Sequence, residues 1–231
     1  MSLLKKLGGL SLAVIILLGV SGCMEINNNS QDGNIQNIND AAIKYMENKY
    51  GEKFEYSEPY GNSMTGTREL LVTCASLPNQ KILVQVENYK QSNKIYRDNL
   101  IAIKFRQQTV DFIQDCADKQ FGEAKVFYDV ARDGLSPNLS ANASFNEYLS
   151  DARVTLNISI RTKASLFTSE KQAIQLADAL AAYGTHFITV LSSVSDEDYG
   201  KSNENESINF VWRVQLSKLS GNIEIDWLEK E

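Results

Sequence analysis

Arg153-Val154-Thr155-Leu156-Asn157-Ile158-Ser159-Ile160-Arg161 alternates polar and apolar side chains without a break. Successive side chains of a β-strand point to opposite faces, so this stretch reads as a strand with one face on a core and one in water. Downstream the period changes. Thr168 or Ser169 stands where a helix N-cap belongs, Ser169 and Gln172 have the spacing of a capping box, and Ala173, Leu176, Ala177 and Leu180 recur at helical steps towards Tyr183. Gly184 supplies the stop. Alternation then returns over 186–194, 207–217 and 222–227, most cleanly in Ile208, Phe210, Trp212, Val214 and Leu216.

Upstream, the same order occurs once more. Asn39 or Asp40 is a good N-cap, Ile43, Met46 and Tyr50 share one helical face, and Gly51 ends the helix. Strands are expected over 54–60, 69–76 and 81–89. Tyr50-Gly51 and Tyr183-Gly184 match as aromatic-glycine junctions, as does Phe121-Gly122, and each reads as a left-handed C-cap. Between the two stretches lie a long helix over 98–121 that Asp98 can cap, a strand over 124–130, a loop with Gly134 and Pro137, and a short helix over 144–150. The expectation is an α+β body: antiparallel sheets each packed by a helix, two helix-then-three-strand units joined by a long central helix, with halves at 40–130 and 131–231.

The amino terminus is of a different kind. Lys5 and Lys6 form a positive start, an apolar run covers 7–20, and Ser21 and Gly22 precede Cys23. The run is short of the roughly 20 apolar residues that span a bilayer, so 1–22 reads as a cleaved signal peptide. Val20-Ser21-Gly22-Cys23 resembles the lipobox of bacterial lipoproteins. That resemblance implies cleavage after Gly22, a diacylglyceryl group on the Cys23 thiol, and attachment to membrane lipid on the extracytoplasmic face of the cell membrane. An ordinary secretory cut after Gly22 is the alternative. Residues 23–39, rich in Asn and free of aromatics, read as a flexible tether about 20–25 Å long.

Removing 1–22 takes away two lysines and no acid, moving the formal net charge from -6 to -8. An acidic body repels nucleic acid, which is not an expected partner. Cys74 and Cys116 remain as the internal pair. Cys74 shares a strand face with Leu70 and Val72, while Cys116 closes a helical stripe of Ile101, Phe105, Phe112 and Ile113. Both sulfurs therefore point into a core. A disulfide would constrain the unfolded chain by about 4 kcal/mol, and two buried free thiols are the other reading.

Residues 42–55 of the chain, Ala42-Ile43-Lys44-Tyr45-Met46-Glu47-Asn48-Lys49-Tyr50-Gly51-Glu52-Lys53-Phe54-Glu55, look like segments of small lipoproteins of Gram-positive bacteria. Their helix-plus-sheet units are similar to cystatin-like and PepSY-like folds. The resemblance implies binding or inhibition rather than catalysis, and it carries over no catalytic residue.

His186 is the one histidine, and it starts a strand without the partners a nucleophilic triad needs. Zinc, Walker and dinucleotide motifs are missing, so no cofactor or metal is expected. Asp111 and Asp115, one turn apart, read as a solvated helix face. In the acidic run from Asp196, the positions where a calcium loop needs Gly and Glu hold Lys201 and Ser207. The best recognition candidate is the stretch 56–64, read as a loop presenting Tyr56, Tyr60 and Met64. Arg153, Arg161 and Arg213 on a wet strand face can meet an anion or a polymer. The functional expectation is a non-catalytic binding module for an envelope protein or peptide. An envelope hydrolase using paired carboxylates and a small solute-binding lipoprotein are the alternatives.

Overall fold

The computed structural model describes residues 29–62, 66–130, 135–200, 210–219 and 221–230; Gly22, Cys23 and Met64 lie outside the described residues. The fold is α+β, as the changes of period require. Helix α1 (Asn29–Tyr50) leads into a four-stranded antiparallel meander of β1 (Phe54–Asn62), β2 (Arg68–Cys74), β3 (Ile82–Glu87) and β4 (Ile95–Asp98). The register pairs Leu70 with Val84 and Val72 with Ile82, which lines these fully buried side chains up on one face. Helix α1 is tied to that sheet at the interior strand β2 and at the edge strand β4. Arg68 Nε donates to Asn39 Oδ1 at 3.2 Å, and the Tyr45 ring stacks on Tyr96.

The first helix corrects two expectations. It begins at Asn29, so part of the stretch read as tether is helical, and Asn39 is a buried hydrogen-bond acceptor inside the helix rather than its cap. Ile35, Ile38, Ala42 and Met46 extend the apolar stripe upstream at steps of three and four, which outweighs the modest helix penalty of Asn. The strand expected over 54–60 is present and runs on through Asn62 as edge strand β1, which overturns the loop reading of that part of 56–64; it is bulged at two points, and Pro59 is tolerated because an edge strand leaves half of its N–H groups unpaired.

The remaining elements are α2 (Leu100–Lys104), α3 (Arg106–Phe121), β5 (Ala124–Val130), α4 (Phe145–Ser150), β6 (Thr155–Lys163), α5 (Glu170–Ala181), β7 (His186–Val194), α6 (Asp196–Tyr199), β8 (Phe210–Lys218) and β9 (Glu224–Lys230). The expected 98–121 helix is two helices broken at Phe105, whose ring sits 5.5 Å from Phe145 and 5.6 Å from Tyr148. The five strands form one sheet in the order β5-β6-β7-β8-β9. Helices α3 and α5 cover one face, where Leu156, Ile158, Ile160, Phe187, Leu191, Val214 and Leu216 are buried.

The second sheet departs from the expected helix-plus-three-strand unit. Strands β5 and β6 join it, so a division at 130/131 cuts between two hydrogen-bonded strands, and residues 39–231 form one unit. Strands β6 and β7 run parallel, because α5 between them carries the chain back across one face before the next strand starts. Two local readings hold. Gln172 accepts the Ser169 N–H at 3.1 Å, and Gly51, Gly122 and Gly184 take φ of 71°, 73° and 79°. Beneath the first sheet, Leu71, Leu83, Leu135 and Val130 close a second apolar cluster.

Candidate functional site

The face of the second sheet opposite α3 and α5 is built from the residues that alternate with the core. Register places them in rows across the strands. One row runs Lys125, Arg161, Ser192 and Arg213; the next runs Phe127, Ser159, Val190, Gln215 and Asp226; a third runs Asp129, Asn157, Ile188, Ser217 and Glu224. The alternating strand β6 is thus the second of five, and its polar side chains meet apolar ones from β7.

A groove of about 810 Å³ opens on this surface, with Phe127, Ile188 and Val190 as its apolar floor and Asn157, Ser159 and Asp129 as polar lining. It also reaches Val126 and Tyr128 of the edge strand β5 and, beyond that edge, Arg106 and Val110 of α3. Phe127, Ile188 and Val190 are half-buried, and Asp129, Asn157 and Arg106 are exposed. A half-open apolar floor with a few polar groups around it is the usual make-up of a recognition site. Asp129 is the one carboxylate among the described residues that line the groove, so the acid pair of a glycoside hydrolase is not brought together there.

The cationic row lies beside the groove and is not open. The start of the acidic run, Asp196–Tyr199, folds beside it as the short helix α6, with Asp198 and Tyr199 buried. Lys125 Nζ donates to the Tyr199 carbonyl at 2.6 Å and lies 4.9 Å from the centre of its ring, with Lys163 on the same ring at 5.1 Å. Arg161 is buried over the Phe127 ring. The three arginines are separated: Arg161 and Arg213 share the row, while Arg153 is exposed in the turn before β6. The Nε of Arg213 is buried without a hydrogen-bond partner among the described residues.

Of the recognition residues, Tyr56 and Tyr60 are 40% and 52% exposed on β1, in the other sheet from the groove. Cys74 and Cys116 are free thiols. Cys74 ends β2, whereas Cys116 lies on α3, which packs on the second sheet, so the two belong to different layers. Burial pushes the Cys116 thiol pKa up. Asp111 and Asp115 are exposed, as a solvated face requires. Among the described residues, no three His, Cys, Asp or Glu side chains converge as a metal site, and no helix is long and apolar enough to cross a membrane.

One polar cluster had no signal in the sequence. The Asp98 carboxylate, with a fully buried side chain, accepts from Lys49 Nζ at 2.8 Å, the Tyr45 hydroxyl at 3.1 Å, the Tyr50 hydroxyl at 2.6 Å and the Leu100 N–H at 3.1 Å. The expected cap is displaced by one residue: Asn99 holds the N-cap position of α2, and Asp98, at the end of β4, bonds the first helical N–H from one residue further back. Burial first, and the Asp98 charge second, hold both tyrosines far above the ordinary phenol range. They stay protonated donors, and the cluster acts as a lock between α1 and β4 rather than as a source of phenolate.

No protein-family model matches the chain, and no curated protein does. Among solved structures, the chain is similar to a crystal structure of a DUF5037 family protein from Ruminococcus gnavus ATCC 29149. The identity is 11%, the match covers 79% of this chain and 92% of that one, and the TM-score is 0.35.

Proposed function

We propose that this chain is a lipoprotein held on the extracytoplasmic face of a bacterial cell membrane by lipid on Cys23, and that its body is a binding module whose contact surface is the groove over β5, β6 and β7. The observation that carries the binding reading is the groove itself: about 810 Å³, floored by Phe127, Ile188 and Val190 on a sheet face that α3 and α5 leave open. The anchor reading rests on the order of Lys5, Lys6, the apolar run and Val20-Ser21-Gly22-Cys23. Acyl chains add about 0.8 kcal/mol per buried methylene, so two chains on one cysteine suffice for stable attachment.

Mass spectrometry of the processed chain from host membranes tests the anchor: a diacylglyceryl Cys23 as first residue is expected, and an unmodified terminus with release into the medium overturns it. For the groove, an envelope partner is captured by crosslinking with the full chain and with Asn157→Arg. Asn157 is exposed, so its replacement fills the groove without disturbing the core. Capture is expected to fall for the variant. Equal capture by both forms would discard the groove as the contact surface.

A further inference from the structure

The free edge of β5 is satisfied at its ends and open in its middle. In an antiparallel pair, alternate residues direct both peptide groups at the neighbouring strand, and the residues between them point both groups outward. The outward set on β5 is identified by side chains that bond to it. Gln114 Nε2 of α3 donates to the Ala124 carbonyl at 2.9 Å, and the Ala124 N–H donates to Asp118 Oδ1 at 3.2 Å. At the other end the Val130 N–H donates to Asp129 Oδ1 at 2.8 Å. Residues of the same parity, Val126 and Tyr128, therefore turn their peptide groups away from β6. Among the described residues nothing bonds to those groups, and both residues line the groove.

Two residues, each offering an N–H and a C=O and spaced about 6.8 Å apart, form a template for an added strand. The flanks state what its side chains should be. An added strand presents alternate side chains to opposite faces of the sheet. On the open face they meet Phe127 of β5, the outer side chain of the groove floor, and towards α3 they meet Val110 and Arg106. Arg106 is exposed, has no hydrogen bond or ion pair with another described residue, and lies close enough to lower the Tyr128 pKa against the larger effect of burial. A carboxylate on the added strand gives it a partner.

Resting on the binding reading above, we infer that the partner docks as an extended peptide segment, adding a sixth strand to β5 through Val126 and Tyr128, with apolar side chains against Phe127 of the groove floor alternating with an acidic side chain at Arg106. The test uses the full chain in detergent micelles and a synthetic peptide alternating valine and glutamate. Binding should slow amide hydrogen exchange at Val126 and Tyr128. Val126→Pro removes an outward N–H, which an edge strand tolerates, and should abolish binding. Arg106→Glu should weaken the glutamate peptide by about tenfold or more and favour a valine–lysine peptide instead, a reversal that loss of folding cannot mimic.

A peptide that binds and is blocked by Asn157→Arg, yet leaves both amides unprotected, overturns strand addition while the groove reading stands. Protection of the same amides in the chain alone at rising concentration names a second copy as the occupant and overturns the peptide. Partner capture that survives Asn157→Arg sinks the groove reading itself.

Discussion

The Tyr50 hydroxyl donates to Oδ1 of Asp98 at 2.6 Å, while Lys49 reaches the other oxygen of the same carboxylate at 2.8 Å. The last turn of α1 is thereby clamped to the end of β4, and the two lysine-side and aspartate-side groups are 13% and 0% exposed. Removing one member of a buried pair leaves the other charged and unpaired, which is worse than never having built the pair. Asp98→Ala is expected to lose about 3–4 kcal/mol of stability, and Tyr50→Phe about 1.5–2 kcal/mol, the worth of a hydrogen bond to a charged acceptor. Urea unfolding of both variants checks the order. Equal, small losses would mean that the clamp is not holding the helix.

The same tyrosines make stability sensitive to alkali. A phenol whose folded pKa lies above its unfolded value of about 10 contributes stability that is complete below that value. As pH rises past it, the unfolded state releases protons that the folded state keeps, so stability falls by about 1.4 kcal/mol per pH unit for each such group. Tyr45, Tyr50, Tyr128 and Tyr148 are all raised, with burial as the leading cause. Urea midpoints should drop steeply above about pH 10, and Tyr50→Phe should make that drop shallower. A midpoint flat through this range would contradict the burial of these hydroxyls.

Strand β7 and the residue before it carry buried hydroxyls without partners among the described residues. Thr185, Thr189 and Ser193 are fully buried, and their oxygens make no hydrogen bond. An unsatisfied buried hydroxyl costs about 1–3 kcal/mol, and valine has nearly the shape of threonine without that cost. Thr189→Val is expected to raise stability by about 1 kcal/mol, read as a higher urea midpoint at unchanged slope. A loss instead would point to a bound water satisfying the threonine.

The internal cysteines should differ in reactivity and never join. Cys74 is partly exposed beside Ser76, and Cys116 is buried with its thiol pKa raised by that burial. Under native conditions a thiol reagent should modify Cys74 well before Cys116, since the thiolate is the reacting form. Non-reducing peptide mapping should find no Cys74–Cys116 bridge. Finding one would mean that β2 and α3 approach more closely than the two layers allow.

How much of this was legible can be judged element by element. Residues 124–130 and 186–194 were delimited by alternation alone, and the Ser169–Gln172 box and the three glycine caps were read from spacing. Strand β4 was missed because it spans only Ile95–Asp98, too short for a period to show. The stripe on α3 announced that Ile113 and Cys116 would be buried but not against which sheet. The clamp on Asp98 was invisible because Lys49 and Asp98 are far apart in the chain, and neither carries a mark of the other. Of the groove, the polar half was foreseen through Asn157 and Ser159, whereas the apolar floor from Phe127 and Val190 was not.

What the amino-acid order determined by itself was the kind of each segment: helix, strand, cap, acidic run and lipobox-like start. Backbone geometry imposes a period of two or 3.6 on any buried face, and that period is local. Only the tertiary structure decided that β6 and β7 run parallel, that β5 closes one side of the second sheet, and that no other described residue bonds the peptide groups of Val126 and Tyr128 beside Arg106. Strand order and register depend on pairing between distant segments, and an unpaired edge is defined by the neighbour that is not there.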